Sequence, residues 1–465
     1  MNYVSTRGQA PAVSFLDAVI AGLAPDGGLY VPETWPQLDA VEIAAFAGRP
    51  YAEVAADIVG RFAGHSVDAA ALAEICADAY ASFDHAAVAP LKQLSPGGFL
   101  LELFHGPTLA FKDIALQLLG RLYDHVLGAQ GRQLTIVCAT SGDTGGAAVE
   151  AFRGRANVKL VALFPKGRIS EVQRRFMTTT AADNIACLEV GGTFDDCQAM
   201  LKSMFRDAQF ASAVDLSGVN SINFARIAAQ AVYYFTAAVA LGAPRRKVAF
   251  CAPTGNFGDA YAGYVAQRMG LPIERIIVAV NSNDILGRAL ESGRYERGEV
   301  AATSSPAMDI QAASNFERLY FEAVGRDAAA TTLAFEAFAA EGALDIPPDA
   351  LAAMRGLFVG AAVSEAETAR TIRATLEATG ELVDPHTAVG LAAAARIGPA
   401  DPATPLVTLS TAHPAKFPDA VAGAAGVPAP KPAAVAHMAQ RPEVFDRIAA
   451  DVNAAKTYVR EFVSA

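Results

Sequence analysis

Residues 101–113 read LELFHGPTLAFKD and place one lysine, Lys112, between two apolar segments. A helix that begins near Pro107 would carry Lys112 toward the protein interior, because apolar residues lie at 109–111 and dominate 114–119. Burying an unpaired ammonium group is costly, so such a lysine tends to lose its proton. A neutral, desolvated amine reacts readily with carbonyl groups. The stretch alone is equally compatible with a lysine whose charged end reaches water beside a helix start.

Composition narrows the possible partners. The chain has 465 residues and is 52% hydrophobic, which is enough for a large core and for two or three domains. Its 48 acidic and 37 basic residues leave a net charge of -11, and the basic residues form no long block. We therefore expect neither nucleic acid nor a membrane surface as a partner. Any anionic ligand must be bound locally by particular loops.

Cysteine usage and the N-terminus indicate a cytoplasmic protein. The five cysteines are an odd number without C-x-x-C spacing, which predicts neither a disulfide framework nor a metal site. Residues 1–7 contain no apolar segment typical of a secretory signal. The charge-free run 227–244 has the length of a membrane span but contains Gln230 and two tyrosines, so we interpret it as a buried helix.

The pattern of apolar runs predicts an α/β fold behind a mainly helical N-terminal unit. Residues 1–90 contain an alanine-rich, helically periodic stretch and no obvious catalytic constellation. After Pro96-Gly97-Gly98, short runs rich in β-branched residues alternate with helical patterns, which is typical of mostly parallel sheets. The predicted strands are 134–139, 159–164, 247–252, 275–280 and 406–409.

Three loops follow predicted strands and can bind anions or polar groups. Residues 140–146, TSGDTGG, and residues 253–259, PTGNFGD, each combine hydroxyls and glycines with a helix start. Such loops direct backbone N–H groups at a carboxylate or phosphate, although helix caps use the same residue types. Residues 409–417, LSTAHPAKF, place two hydroxyls after a strand. Carboxyl ends of parallel strands share one edge of a sheet, so we expect all three loops near Lys112. An aldehyde for the lysine, a phosphate for the glycine loop and a ring nitrogen facing a hydroxyl would satisfy the set.

Together these motifs closely resemble threonine synthases of the longer bacterial and fungal type. The resemblance rests on residues 104–113, 141–145, 255–259 and 410–417, and it extends to residues 3–8 and 26–32 near the start. It implies the tryptophan synthase β-like fold of pyridoxal 5'-phosphate enzymes, with two open, mostly parallel sheets flanked by helices. It also implies an N-terminal domain at 1–90 and a catalytic region at 91–465, in which a smaller lobe at roughly 130–215 is inserted into a larger one.

The implied reaction converts O-phospho-L-homoserine and water to L-threonine and phosphate, the last step of threonine biosynthesis. Lys112 would hold the cofactor as a Schiff base and then serve as the general base. The resemblance places Gly255, Asn256, Phe257 and Asp259 around the cofactor phosphate. Thr411 would meet the pyridine nitrogen, with Ser410 as the alternative. The substrate carboxylate would be held by the loop residues Ser141, Gly142, Asp143 and Thr144.

The leaving phosphate requires a second anion site, which the sequence leaves open. Residues 165–175 follow a strand and concentrate four cations, and our hypothesis assigns Lys166, Arg168 and Ser170 to this site. A solvated helix start is an equally good interpretation of the segment. The polar cluster at 220–226 offers Asn220, Ser221 and Arg226 as further candidates, although Asn and Ser also cap helices.

Two other functions share parts of this pattern. A dehydratase or a β-replacement synthase would use Lys112 and the glycine loop but would need no second phosphate site. A ligand-binding relative could retain the fold without the reaction, although the intact Lys112 and Thr411 argue against it. The sequence is compatible with a monomer or a homodimer.

Overall fold

The computed structural model describes residues 1–180 and 182–464. The N-terminal part combines a small antiparallel sheet with helices whose apolar residues recur at helical spacing, as Val54, Ile58 and Phe62 do in the longest of them. Asp39 caps the second helix by accepting hydrogen bonds from two backbone N–H groups. The elements of this part are β1 (Asn2–Ser5), β2 (Val13–Ser14), α1 (Phe15–Ala21), β3 (Tyr30–Pro32), α2 (Ala40–Ala44), α3 (Tyr51–Ala63) and α4 (Ala69–Tyr80).

Strands and helices then alternate, because short β-branched runs are separated by helical segments with good caps. Ser170 and Thr193 each form a capping box at the start of a helix. The elements are β4 (Leu91–Gln93), β5 (Gly98–Glu102), α5 (Lys112–Gln130), β6 (Leu134–Ala139), α6 (Asp143–Phe152), β7 (Val158–Pro165), α7 (Glu171–Thr178), β8 (Ile185–Gly191), α8 (Phe194–Arg206), α9 (Ala208–Ala213) and β9 (Leu216–Ser217).

The remaining chain continues the alternation and ends on a helix. Two short 3₁₀ helices, Pro306–Met308 and Pro414–Lys416, begin with proline, whose fixed φ suits a helix start. The other elements are α10 (Phe224–Ala240), β10 (Val248–Pro253), α11 (Gly258–Arg268), β11 (Ile273–Val280), α12 (Ile285–Ser292), β12 (Arg294–Glu296), α13 (Phe316–Ala323), α14 (Ala328–Glu341), β13 (Ala343–Asp345), α15 (Pro348–Arg355), β14 (Phe358–Ala362), α16 (Glu365–Thr379), α17 (Pro385–Ile397), β15 (Leu406–Ser410), α18 (Pro418–Ala425), α19 (Ala433–Ala439), β16 (Asp446–Ala449) and α20 (Val452–Ser464).

Two larger sheets organise the molecule. One has the order β14-β11-β10-β15-β5-β4, and its strands pair in parallel except for the antiparallel edge strand β4. The other has the order β16-β8-β7-β6-β9 and is parallel throughout. The predicted α/β fold with two mostly parallel sheets is therefore confirmed. The strand β16 reaches the second sheet from the C-terminal part of the chain, and α20 packs on α8 beside it.

Helix α10 forms the centre of the largest hydrophobic cluster. Its residues Ile227, Val232 and Phe235 are fully buried and contact helices of the N-terminal part as well as α5 and α11. The apolar run predicted to be a buried helix is this element. Among residues 1–180 and 182–464, no helix is both long and apolar enough to cross a membrane.

Candidate active site

A cavity of about 1130 Å³ lies where the start of α5 meets the loops that follow β6, β10 and β15. All four positions stand at the carboxyl ends of strands or at helix starts, where backbone N–H groups and helix dipoles favour anions. Ten candidates named from the sequence line this cavity: Lys112, Asp143, Thr144, Asn220, Ser221, Arg226, Gly255, Asn256, Asp259 and Thr411. The tertiary structure therefore brings the three predicted loops together around the predicted lysine.

Lys112 is the first residue of α5, and its side chain is only 11% exposed. The Nζ atom lies 3.9 Å from Oδ2 of Asp143 and 4.7 Å from the centre of the Phe111 ring. Burial lowers the pKa of Lys112; the positive charges of Arg226 and Lys416 lower it further, and Asp143 opposes them. The amine is thus shifted toward its neutral, nucleophilic form.

Asp143 lies between two lysines. Its Oδ1 forms an ion pair with Nζ of Lys416 at 3.0 Å and accepts a hydrogen bond from Nε2 of Gln173 at 2.9 Å. Burial alone would raise the pKa of Asp143, but the ammonium groups of Lys416 and Lys112 outweigh it and hold that pKa well below its usual range. The carboxylate is therefore ionised and occupied, so only the backbone of Asp143 remains for the predicted contact with a substrate carboxylate.

The loop after β6 is held in shape by its own side chain Thr140. The Thr140 Oγ1 accepts hydrogen bonds from the backbone N–H of Gly142 at 2.9 Å and of Gly145 at 2.8 Å. Gly142 has a φ of 126° and packs against the amide of Gln173, a combination that only glycine accommodates. Ser141 and Gly142 do not line the cavity, whereas Thr144 does.

The loop after β10 turns tightly against the segment 307–308. A Cβ on Gly255 would lie 2.5 Å from the carbonyl oxygen of Ala307, so the backbone approaches as closely as glycine allows. Phe257 adopts a left-handed conformation with a φ of 63°, and its buried ring packs on Phe316 and Phe358 away from the cavity. Only the backbone of Phe257 is thus available to a ligand.

Asp259 contributes a carboxyl group that is already bonded. It accepts hydrogen bonds from Oγ1 of Thr254 and from the backbone N–H of Ala260. Burial raises the pKa of Asp259 to about 6, against the opposing effect of these hydrogen bonds and of Lys112. A carboxyl group with these partners shapes the loop and is a poor direct partner for a phosphate.

Thr411 and Lys112 are tied together by the backbone. The N–H of Phe111 donates to the carbonyl oxygen of Thr411 at 2.8 Å, and Ala110 pairs with Ala412. Thr411 lines the cavity, whereas the Oγ of Ser410 lies 3.0 Å from Oγ1 of Thr387 and does not face it. Of the two predicted hydroxyls, the structure therefore presents Thr411.

Lys166, Arg168 and Ser170 stand outside the cavity. Lys166 and Arg168 are exposed beyond the end of β7. Ser170 caps α7, where its Oγ accepts from the backbone N–H of Gln173 at 3.1 Å and donates to the carbonyl oxygen of Lys416 at 2.9 Å. The structure does not bring these three residues to the other predicted site residues.

Four other cations line the cavity instead. Arg226 is buried at the start of α10, where one Nη donates to the carbonyl oxygen of Val219 at 3.1 Å and Nε has no hydrogen-bond partner among the described residues. Burial lowers the pKa of Arg226 to about 10. Lys202 and Arg206 from α8 and Arg297 after β12 lie at the exposed mouth. Only Arg226 had a signal in the sequence, through the polar cluster at 220–226.

Models of protein families match nearly the whole chain. The model described as "Threonine synthase N terminus" matches residues 2–80, "Pyridoxal-phosphate dependent enzyme" matches 88–411, and "Threonine synthase, C-terminal" matches 387–459. A threonine synthase from Pseudomonas aeruginosa is 51% identical over 96% of this chain and 94% of its own length. The chain belongs to the threonine synthase family.

Solved threonine synthases have the same fold over their full length. The crystal structure of the Brucella melitensis enzyme with bound pyridoxal phosphate superimposes with a TM-score of 0.97 at 52% identity and covers 100% of both chains. The yeast enzyme gives a TM-score of 0.94 at 37% identity over 100% of this chain and 99% of its own. The predicted threonine synthase activity and the predicted dependence on pyridoxal phosphate are confirmed by these matches.

Proposed function

We propose that this cavity converts O-phospho-L-homoserine and water to L-threonine and inorganic phosphate with Lys112 as the catalytic residue. The observation that carries the proposal is the neutral-shifted amine of Lys112 in a cavity whose other walls offer two anion-binding loops and the hydroxyl of Thr411. We propose in addition that the protein is cytoplasmic and that it is a monomer or a homodimer. We also propose that it divides into an N-terminal domain at 1–90 and a catalytic region at 91–465.

The residues present fit pyridoxal phosphate. Lys112 supplies the amine that such a cofactor requires. Gly255, which packs closely against Ala307, has no side chain that could obstruct the backbone N–H groups of the loop. Gly258 at the start of α11 adds the helix N-terminus. Thr411 would face the ring nitrogen, and Gly255, Asn256 and the backbone of Phe257 would hold the cofactor phosphate. When bound, pyridoxal phosphate supplies a ring that accepts electrons from the substrate carbons.

The side chain of Lys112 would move protons during the reaction. As the general base, its amine would take a proton from Cα of the substrate and deliver protons at neighbouring carbons, because burial shifts it toward the unprotonated form. The ionised carboxylate of Asp143, paired with Lys416, lies beside it and contributes to the electrostatic environment of the amine. Thr144 and the backbone N–H groups at the start of α6 would hold the substrate carboxylate.

Arg226 is the best candidate for the substrate phosphate. A buried guanidinium with a free Nε and no ion pair among the described residues favours an anion. Asn220 and Ser221, which precede Arg226 in the chain, also line the cavity. The exposed Lys202 and Arg206 would attract the doubly charged substrate toward the mouth. This assignment replaces the hypothesis based on Lys166, Arg168 and Ser170, which lie elsewhere.

Replacing Arg226 with glutamine should lower kcat/KM for phosphohomoserine by about 10- to 100-fold, the range expected for a lost charge-assisted hydrogen bond. Arg168→Ala is the control and should leave kcat/KM and the competition by inorganic phosphate unchanged, since Arg168 is exposed outside the cavity. Steady-state kinetics with both variants measure the difference. Equal effects of the two changes would contradict the assignment.

Replacing Gly255 with alanine should weaken binding of pyridoxal phosphate by at least about tenfold, because the added Cβ would lie 2.5 Å from a backbone carbonyl oxygen, which cannot move aside as a flexible side chain can. Gly423→Ala in α18 is the control, since a Cβ there meets nothing within 4 Å. Titration of each cofactor-depleted chain with pyridoxal phosphate gives the dissociation constants. An unchanged constant for the Gly255 variant would exclude this loop as the phosphate cup.

The direct test of the proposed function is to incubate the purified protein with O-phospho-L-homoserine and to assay threonine and phosphate in the same sample. Equimolar release of both products is the expected result. A dehydratase would instead release ammonia and a 2-oxo acid from an amino acid without a phosphate group. Binding of phosphohomoserine without either product would indicate the ligand-binding alternative.

A further inference from the structure

The segment that leads into α13 forms one wall of the cavity. Residues 307–312 and Ser314 line the cavity, and Asn315 and Arg318 follow at the start of the helix. Asn315 and Arg318 are both completely buried. Burying a guanidinium and an amide side by side is costly unless each polar atom has a hydrogen-bond partner. The hydrogen-bond partners of Asn315 and Arg318 therefore show which parts of the chain the two side chains connect.

Arg318 binds backbone carbonyls from two distant parts of the chain. Its Nε and one Nη donate to the carbonyl oxygen of Tyr30 at 3.1 and 2.9 Å, and the same Nη also donates to the carbonyl oxygen of Ile222. The other Nη donates to Oδ1 of Asn315. No described carboxylate forms an ion pair with Arg318, and burial lowers its pKa to about 10. The guanidinium is therefore stabilised by carbonyl dipoles and by the ring of Phe224, whose centre lies 5.7 Å from its Cζ.

Asn315 extends this network to the loop after β10. Its backbone N–H and its Nδ2 both donate to the carbonyl oxygen of Asn256, each at 3.1 Å. The same Nδ2 donates to the carbonyl oxygen of Ser221 at 3.1 Å. Because the Oδ1 of Asn315 is held by Arg318, the orientation of its amide, and with it the bond to Asn256, depends on the guanidinium.

The partners of the two residues lie in two places. Asn256, Ser221 and Ile222 line the cavity, whereas Tyr30 lies in β3 of the N-terminal part. Irregular loops have no secondary structure to fix them, so side-chain donors of this kind determine where their backbone N–H groups point. Arg318 and Asn315 therefore cross-link the N-terminal part to both loops that face the candidate anion sites.

We propose that Arg318 and Asn315 are positioning residues for the cofactor phosphate, and that the N-terminal part stabilises the cofactor site through them. The inference rests on the proposed function, in which the loop containing Gly255 and Asn256 holds that phosphate. Neither residue lines the cavity, so their effect passes through the loops. The carbonyl of Tyr30 anchors Arg318, Arg318 orients Asn315, and Asn315 holds the carbonyl of Asn256.

A purely stabilising role is the alternative, and the neighbouring Glu317 provides a matched control. Glu317 also joins α13 to the N-terminal part: it accepts from Oγ1 of Thr6 at 2.7 Å and from Arg7 at 3.1 Å. Among residues 1–180 and 182–464, its side chain has no hydrogen bond to a loop that lines the cavity. A residue that only ties the two parts together should behave like Glu317, whereas a positioning residue should change cofactor affinity.

The experiment compares Arg318→Met, Asn315→Ala and Glu317→Gln in the full chain. Dissociation constants for pyridoxal phosphate come from absorbance titration of cofactor-depleted protein, and Tm from thermal unfolding of the same samples. We expect Arg318→Met to weaken cofactor binding by at least about tenfold, equivalent to about 1.4 kcal/mol. Asn315→Ala should fall between it and the unaltered protein, since its backbone N–H still reaches Asn256. Glu317→Gln should lower Tm and leave the constant unchanged.

The outcomes separate the inference from the proposed function. If the unaltered protein does not bind pyridoxal phosphate, the proposed function fails and the inference with it. If the unaltered protein binds and Arg318→Met and Asn315→Ala bind as tightly, only the inference is overturned. Equal weakening in Glu317→Gln would overturn it as well, because the effect would then follow general stability. If Arg318→Met does not fold, Asn315→Ala decides the matter, since it retains the guanidinium.

Discussion

Replacing Lys112 with alanine is expected to lower kcat by at least about 10³-fold, since the change removes both the amine that would hold the cofactor and the proposed general base. The residual binding of phosphohomoserine should be affected far less, because the anion-binding loops and Arg226 remain. The visible absorbance of the lysine-bound cofactor should also be lost, which gives a second measurement that does not depend on turnover.

Lys166→Ala is the matched control for this variant. Lys166 is an exposed lysine at the end of β7 and lies outside the cavity, so its removal should leave kcat and the absorbance unchanged. Retention of more than about a tenth of the activity in Lys112→Ala would be incompatible with a role for this amine in the chemical step. The comparison also tests the earlier hypothesis that Lys166 binds the substrate phosphate.

Replacing Lys416 with methionine should lower the free energy of unfolding by about 3–5 kcal/mol at pH 7, the cost of leaving a buried charge without its partner. Lys416 is 1% exposed, forms an ion pair with Asp143 at 3.0 Å and donates to the carbonyl oxygen of Thr108 at 2.7 Å. Urea-induced unfolding measures the effect. Lys92→Met, which breaks an ion pair with Glu381 on the surface, should cost about 1 kcal/mol or less.

The effect of Lys416→Met should depend on pH in a defined direction. Burial alone would raise the pKa of Asp143, but Lys416 and Lys112 hold it below its ordinary value, so the pair stabilises the folded protein above that ordinary value. The stabilisation is lost as the pH falls toward the folded-state pKa. The difference in unfolding free energy between the two proteins should therefore be full at pH 7 and shrink as the pH falls through about 4, the ordinary pKa of an aspartate, toward the folded-state pKa. A difference that stays constant from pH 7 down to about pH 2 would contradict the role of the ion pair.

Much of the fold could be predicted because the strands carry a strong local signal. The run at 134–139 coincides with β6, and the runs at 159–164 and 275–280 lie within β7 and β11. These strands are buried on both faces, so their sequences are continuous apolar runs bounded by polar loops. The partner of β8 at the sheet edge, β16, carries a charged and exposed pattern, and only the packing of the C-terminal segment places it there.

The site was partly predictable for a related reason. Lys112, Gly255 and Thr411 lie in motifs whose residue types suit only a few chemical functions. Their proximity could also be predicted, because the carboxyl ends of neighbouring parallel strands lie at one edge of a sheet. Lys416 carried the same kind of signal as Lys112, a lysine among apolar residues after a strand, yet its pairing with Asp143 could not be read because the two are far apart in sequence.

By itself, the sequence determined the family, the cofactor, the lysine proposed to hold it and the order of strands and helices, because each depends on residue type and short-range spacing. The tertiary structure alone decided which cations face the cavity and which side chains hold its loops. Lys166 and Arg168 carry the same charge as Arg226, but the sequence does not show which way a charged side chain points. Only the packing of α10 turns Arg226 toward the cavity. The contacts of Arg318 and Asn315 join residues separated by up to 288 positions in the chain. No local sequence pattern can indicate a hydrogen-bond partner that is so far away in the chain.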